Sequence, residues 1–149
     1  MRILIQECLQ AEVVIDNKTV GKIDNGEVLF VGFTSGDDDK LIDKMTEKLF
    51  KLRIFPDSQG KTNLNLEDHG GRILCISQFT LYADCASNRP SFCKALGGKE
   101  AKPLYDYFCQ KLLERRKDTQ FGIFGADMKV HLINDGPFTI LLDSKEVFH

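Results

Sequence analysis

Polarity along the first third of the chain alternates with the two-residue period of strands. The opening Met1-Arg2-Ile3-Leu4-Ile5-Gln6-Glu7 alternates, and Ala11, Val13 and Ile15 alternate with Glu12 and Val14. Asp16-Asn17-Lys18 reads as a turn. Val20-Gly21-Lys22-Ile23 reads as a returning strand, and Asn25-Gly26 carries the side chains of a hairpin turn. Val28 to Phe33 is an unbroken apolar run, which predicts a fully buried strand. The period then changes. Leu41, Ile42, Met45, Leu49 and Leu52 recur as the stripe of a helix over 37–52, with Ser35 or Asp37 available to cap it.

A second β region is expected at Arg53-Ile54-Phe55 and at Arg72 to Ser77, the latter starting after Gly70-Gly71. Ala83 to Gly98 reads as a long excursion, and loops of that length within a compact domain are often functional. Pro103 suits the first turn of a second helix whose apolar face is Leu104, Tyr105, Phe108 and Leu112, with Arg115-Arg116-Lys117 at its C-terminal end. Two last strands, Lys129 to Ile133 and Phe138 to Leu142, flank the turn Asn134-Asp135-Gly136-Pro137. These elements predict one α+β domain over residues 1–149, with a mainly antiparallel, barrel-like sheet covered by two main helices.

Composition narrows the function without naming it. Lys and Arg number 20 against 22 Asp and Glu, a net charge of -2, so bulk electrostatic capture of nucleic acid is not expected. The amino terminus lacks the apolar core of a secretory signal, which places the chain in the cytoplasm with no membrane partner. Five cysteines, Cys8, Cys75, Cys85, Cys93 and Cys109, fall in no C-x-x-C pair and fit reduced, largely structural thiols. Lys40, Lys44, Lys48 and Lys51 line one helix face; flanked by Asp39, Asp43 and Glu47, they read as a solvated face of mixed ion pairs.

Generic catalytic templates are absent: no H-E-x-x-H, G-x-S-x-G or Walker pattern occurs, and His131 lies between apolar strand neighbours. Two segments stand out. Ser77-Gln78-Phe79-Thr80 ends an apolar strand with a cluster of hydrogen-bonding side chains, where a β core can open into a pocket. Asn134-Asp135-Gly136-Pro137 combines two ordinary turn dipeptides. Taken singly, each is also explained by satisfied strand-end or turn backbone.

Together with Leu52-Arg53-Ile54-Phe55, Leu81-Tyr82-Ala83-Asp84, Asn88-Arg89-Pro90-Ser91-Phe92, Phe124-Gly125-Ala126-Asp127-Met128 and Phe138-Thr139, these segments resemble the D-aminoacyl-tRNA deacylases from end to end. The resemblance implies a homodimeric hydrolase that cleaves the ester joining a D-amino acid, or achiral glycine, to the 3′-terminal adenosine of tRNA, with neither cofactor nor metal. It implies catalytic roles for Ser77, Gln78, Phe79 and Thr80, and substrate binding by Met128, Asn134, Gly136, Pro137 and Thr139. Gly136-Pro137 would carry a cis peptide bond and enter the partner subunit's site, its carbonyls standing where an L side chain would go. Two departures accompany the match: Glu7 stands where a basic residue is usual, and Cys85-Ala86-Ser87 where a Lys or Arg is common.

Ester hydrolysis needs a nucleophile, a path for its proton and donors for the oxyanion. With no His or Cys base beside Thr80 in the sequence pattern, the favoured scheme has backbone amides near Phe79 and Thr80 hold the carbonyl oxygen. The ribose 2′-hydroxyl of the substrate then helps activate water. Thr80 as a covalent nucleophile is the alternative within that scheme. A non-catalytic RNA-binding module and a thiol or metal hydrolase built on Cys75 are the alternatives outside it.

Overall fold

The first structural event is a long two-stranded ribbon. In the computed structural model, which describes residues 1–148, β1 (Arg2–Ile15) turns at Asp16-Asn17 into β2 (Lys18–Ile23). Both turn residues have positive φ, 49° and 63°, the handedness that matches a two-residue loop to strand twist. Asn25-Gly26 does not form the second hairpin that its side chains predict. Ala11 pairs with Ile23 and Cys8 with Gly26, three residues back along β1 for three forward, so the register passes unbroken from β2 into β3 (Gly26–Gly32). Gly26 serves packing instead. A Cβ there would lie 1.9 Å from the carbonyl oxygen of Arg72, which closes in as β6 (Arg72–Ser77) pairs parallel to β3.

The chain from 129 onward also departs from expectation. In place of two strands around a turn, β8 (Lys129–Asp143) is one strand lying antiparallel along β1, from Val14↔Lys129 to Arg2↔Asp143. The predicted turn survives as a bulge: Cys8 pairs with Asn134 and Gln6 with Thr139, so four residues, Asp135 to Phe138, stand opposite Glu7 alone. A turn sequence inserted in one partner of a long pairing is accommodated by local looping, because the flanking apolar alternation on both sides still matches β1.

Beyond β6, the sheet continues in parallel to β7 (Gln120–Phe121). There it nearly closes on β2, since a Cβ on Gly21 would stand 2.7 Å from the Phe121 carbonyl oxygen. Within this sheet antiparallel pairing is therefore confined to the partners of β1, while β3 to β6 and β6 to β7 run parallel. Inside the curl lie Ala11, Val13, Ile23, Val28, Leu74 and Ile76. Alternate residues of β3 and β6, Leu29, Val31, Ile73 and Cys75, face outward beneath two helices together with Ile3 and Ile5 of β1, whose register shifts between Gln6 and Ala11 before Ala11 and Val13 turn inward.

Those helices are α1 (Asp39–Lys51) and α3 (Gly98–Arg115). α1 buries Ile42, Met45, Leu49 and Phe50, each worth about 1.5–3 kcal/mol when removed from water. Its cap is Asp38, whose carboxylate accepts from the Leu41 amide at 2.8 Å, and not Ser35 or Asp37. α3 starts five residues before Pro103, so the proline is in the sixth position instead of the first turn. Pro103 is exposed, which leaves the carbonyl of Lys99 free to meet water in place of the missing N–H. The buried face is Ala101, Tyr105, Phe108 and Leu112. The strand expected at 53–55 is reduced to β4 (Phe55–Pro56), paired with β5 (Thr62–Leu64); α2 (Leu66–His69) and α4 (Ser144–Val147) are single turns. Of the lysine stripe on α1, Lys51 pairs with Glu47 at 3.7 Å and Lys44 lies over the Phe148 ring.

Candidate active site

β6 runs out of the core at Ser77. The amide of Gln78 makes a last sheet-like bond to the Val31 carbonyl at 2.7 Å, and the chain then winds into a single 3-10 turn, Phe79–Tyr82. Gly32 permits this close passage: a Cβ there would lie 2.8 Å from the Gln78 carbonyl oxygen and 3.3 Å from the Leu81 Cβ. Arg2 fixes the far end of the turn. Its Nη1 donates to the Leu81 carbonyl at 2.7 Å, its guanidinium lies over the Tyr82 ring at 4.6 Å, and its Nε donates to Asp143 at 2.7 Å.

Between this turn and the start of α3 opens a cavity of about 600 Å³. Its floor is Val31, Gly32, Phe33 and Ile76; Phe124 and Met128 form one wall, and Leu96 to Gly98 with Ala101 the other. Ser77, Gln78 and Phe79 supply its polar edge. At the rim, Phe79 and Phe92 are 56% and 42% exposed and meet edge to face, centroids 5.2 Å apart. The excursion from Ala83 to Gly98 delivers Phe92. Ser91 and Asp84 exchange backbone bonds, Lys94 pairs with Asp84 at 2.8 Å, and the Leu96 amide donates to the Phe33 carbonyl at 2.9 Å.

The electrostatic character of this cavity lies in what lines it. None of its described lining residues carries an ionisable side chain. Thr80 is exposed beside it, and its hydroxyl accepts from Gln78 Nε2. His131 belongs to a separate small cavity with Glu12 and Lys22, and His69 stacks on Phe55 at 4.4 Å. His149 lies outside the described residues. Cys75, two residues before Ser77, is fully buried, and burial pushes its thiol well above the ordinary range, so it is no nucleophile. All five cysteines are free, and among the described residues no three His, Cys, Asp or Glu side chains gather as a metal site.

The residues singled out in the sequence thus fall into two places. Ser77, Gln78, Phe79 and Met128 line the cavity and Thr80 adjoins it. Asn134, Gly136, Pro137 and Thr139 do not line it; Gly136 and Pro137 lie in the bulge of β8, and Asn134 and Thr139 flank it. There the Asn134 side chain accepts from the Phe138 amide at 2.7 Å and donates to the Thr139 hydroxyl at 3.0 Å, which Gln6 also reaches at 3.1 Å. The Gly136-Pro137 peptide bond is cis, and Gly136 has φ of 134°, a conformation that favours glycine. Phe124, Gly32 and the start of α3 were not legible as site residues, because only the packing of α3 against the sheet brings them to one cavity.

The sequence matches the D-Tyr-tRNA(Tyr) deacylase family model over residues 4–143. Proteins named D-aminoacyl-tRNA deacylase from Desulfotalea psychrophila and Lactobacillus acidophilus are 46% and 50% identical to it. They cover 99% and 96% of this chain and 100% and 99% of their own lengths. Among solved structures, a c-Myc DNA unwinding element binding protein superimposes with a TM-score of 0.91 at 34% identity, covering 96% of this chain and 98% of its own. A probable eukaryotic D-amino acid tRNA deacylase, 19% identical with a TM-score of 0.84 over 95% of this chain and 97% of its own, shares the fold. With the family model spanning nearly the whole chain and relatives matched from end to end, the protein belongs to the D-aminoacyl-tRNA deacylase family.

Proposed function

We propose that this chain hydrolyses the ester between a D-amino acid, or glycine, and the 3′-terminal adenosine of tRNA, in the cytoplasm and as a homodimer. The observation that carries the mechanism is a cavity with hydroxyl, amide and aromatic groups but no ionisable side chain among its described lining residues. Such a site holds a substrate without offering a general base. In this scheme the amides of Phe79 and Thr80, which open a helical turn where N–H groups lack intrahelical acceptors, receive the carbonyl oxygen. The substrate's ribose 2′-hydroxyl orients and helps activate the attacking water, taking its proton while passing its own to the departing 3′-oxygen. Ser77, Gln78 and Thr80 position the ester, Met128 packs against the amino-acid side, and the exposed faces of Phe79 and Phe92 suit stacking of an unpaired base.

Chirality is read by the second copy. The Gly136-Pro137 bulge does not line the cavity of its own chain, while among the described residues β8 pairs only with β1 and exposes Ile133 and Leu141. A partner subunit placed against this strand brings its bulge to the cavity, where carbonyls in place of a side-chain pocket leave room for a substituent on the D side only. Asn134 and Thr139 brace that bulge.

Purified protein incubated with matched D- and L-aminoacylated tRNA tests the activity, with a 2′-deoxy terminal ribose as the mechanistic arm. D-specific release that falls steeply with the deoxy substrate is the expected result. Undiminished cleavage without the 2′-hydroxyl overturns the mechanism. No cleavage of either enantiomer, with tRNA still bound, favours the non-catalytic RNA-binding reading. Sedimentation at micromolar concentration should give a dimer, and a monomer there removes the account of chirality.

A further inference from the structure

Two buried acidic residues face each other across the sheet. Glu7 of β1 and Glu27 of β3 are direct cross-strand partners, in one row with core residue Ile73 of β6. They are 6% and 2% exposed, and each has a buried Oε1 with no hydrogen-bond partner. Directly opposed residues of an antiparallel pair have Cβ atoms about 4.5–5.5 Å apart, within reach of a shared carboxyl–carboxylate hydrogen bond. On its other edge, Glu7 is the β1 residue faced by the Asp135–Phe138 bulge.

Among the described residues, the charged groups around the pair are acidic or engaged elsewhere. β8 contributes Asp135, β1 the Cys8 thiol, and the link between β2 and β3 contributes Asp24, whose carbonyl accepts from Cys8 Sγ at 3.8 Å. Arg72, next to Ile73 on β6, is engaged by Asp118 at 3.4 Å, and His69 of α2 is hydrogen bonded to Asn25. Two buried carboxylates side by side, with a third nearby, cannot all remain ionised without cost.

We infer that Glu7 and Glu27 form a proton-sharing carboxyl pair that positions the Asp135–Phe138 bulge, seating it while the proton is held and loosening it when both acids ionise. Burial and then the charge of Asp135 raise Glu7 to about 7, and burial and then the charge of Glu7 raise Glu27 to about 8. Facing each other across one strand pair, the two lose their protons in successive steps. When the shared proton passes to solvent, Glu7 carries full charge against Asp135, and repulsion acts on the bulge itself. The catalytic consequence, though not the pair, rests on the reading of that bulge as the chiral element of a deacylase. Under that reading, Glu7 and Glu27 are positioning residues that act through the bulge.

Carboxyl-carbon and amide NMR of the full-length protein from pH 5.5 to 9.5 tests the pair directly. The two Glu carboxyls should titrate near 7–8, far above exposed glutamates at about 4.3, and the amides of Asp135, Gly136 and Phe138 should shift with the same midpoints. In Glu7→Gln/Glu27→Gln that shared transition should vanish from the bulge amides. Ordinary carboxylate titration of both acids, or bulge amides that stay still through the transition, overturns the inference. Deacylation is the separate arm. After subtraction of spontaneous ester hydrolysis, kcat/KM for a D-aminoacyl-tRNA should fall above the upper midpoint by about tenfold per pH unit, and the double variant should lose that limb. Bulge amides that titrate while the activity profiles of wild type and double variant coincide would support the pair and overturn the placement of the bulge in the site.

Discussion

Arg2 Nε and Asp143 Oδ2 lie 2.7 Å apart, joining the first residue of β1 to the last of β8, and from that anchorage the same guanidinium holds the Leu81 carbonyl. One side chain thus ties one end of the long antiparallel pairing to the turn that carries Phe79 and Thr80. Burial acts to raise the Asp143 carboxyl, but the Arg2 bond and the Lys145 amide more than offset it and hold the group below its ordinary value. Its stabilising contribution is therefore present above the usual carboxylate range and lost as pH falls through the depressed value.

Arg2→Met should keep the fold and cost about 1–3 kcal/mol, the range for a hydrogen bond to a charged partner left unmade. Urea unfolding at pH 7 measures it. Because the Leu81 carbonyl is released as well, deacylation should drop by more than the loss of folded protein accounts for. Equal losses in activity and folded fraction would mean that the turn does not depend on Arg2.

Gly32→Ala tests the floor of the cavity. The added methyl meets the Gln78 carbonyl at 2.8 Å and the Leu81 Cβ at 3.3 Å, so the turn must move away from the sheet. Overpacking of this kind costs about 1–3 kcal/mol. Activity at a temperature where the variant is fully folded should fall at least about tenfold, as read by single-turnover cleavage.

Thr80→Ala should leave measurable deacylation, reduced by about 10–100-fold, or about 1.4–2.7 kcal/mol of transition-state stabilisation. The hydroxyl is exposed and bonded to Gln78, with no base among the lining residues to activate it. Thr80→Val, which keeps the shape while losing the hydroxyl, should be harsher. A trapped aminoacyl ester on Thr80 would reverse this assignment.

Glu27→Gln should change the pH dependence of stability in a defined sense. Both Glu7 and Glu27 have native values raised above the unfolded ones, so their contribution is complete below about 4.5 and is lost as pH rises through about 7 and 8. The free-energy difference between variant and wild type should therefore move in favour of the variant from pH 5 to pH 8.5. Urea midpoints at several pH values decide this, and a difference independent of pH would contradict it.

Phe79→Ala should raise KM for aminoacyl-tRNA, because base stacking on an aromatic face is worth about 1–3 kcal/mol. The Phe92 ring, which meets it edge to face, is expected to behave likewise. Inhibition by a free adenosine-terminated oligonucleotide, weakened in either variant, checks this without the chemical step.

Much of this architecture was legible in order and type. Alternation gave β1 and β2, the Asp16-Asn17 turn followed from residues that accept positive φ, and the stripe Ile42, Met45, Leu49 marked α1, because these signals act between near neighbours. Ser77-Gln78-Phe79-Thr80 could be marked as a strand end opening into a pocket for the same reason. Other features were decided at long range. Asn25-Gly26 became a straight passage because β1 continues to pair across it, and Gly26 is required by the approach of β6. The Asn134–Pro137 turn became a bulge because the strands on either side both match β1. Phe33, Phe92, Phe124 and Ala101 meet at one cavity only because α3 packs where it does. Glu7 was visible as a departure, but its significance depends on Glu27, twenty residues later, arriving opposite it in register and under cover from water. Sequence by itself determined the elements and the polar motifs; the tertiary structure decided which charges are buried together and which motifs share a wall, since burial and apposition are properties of pairs of strands and not of either strand alone.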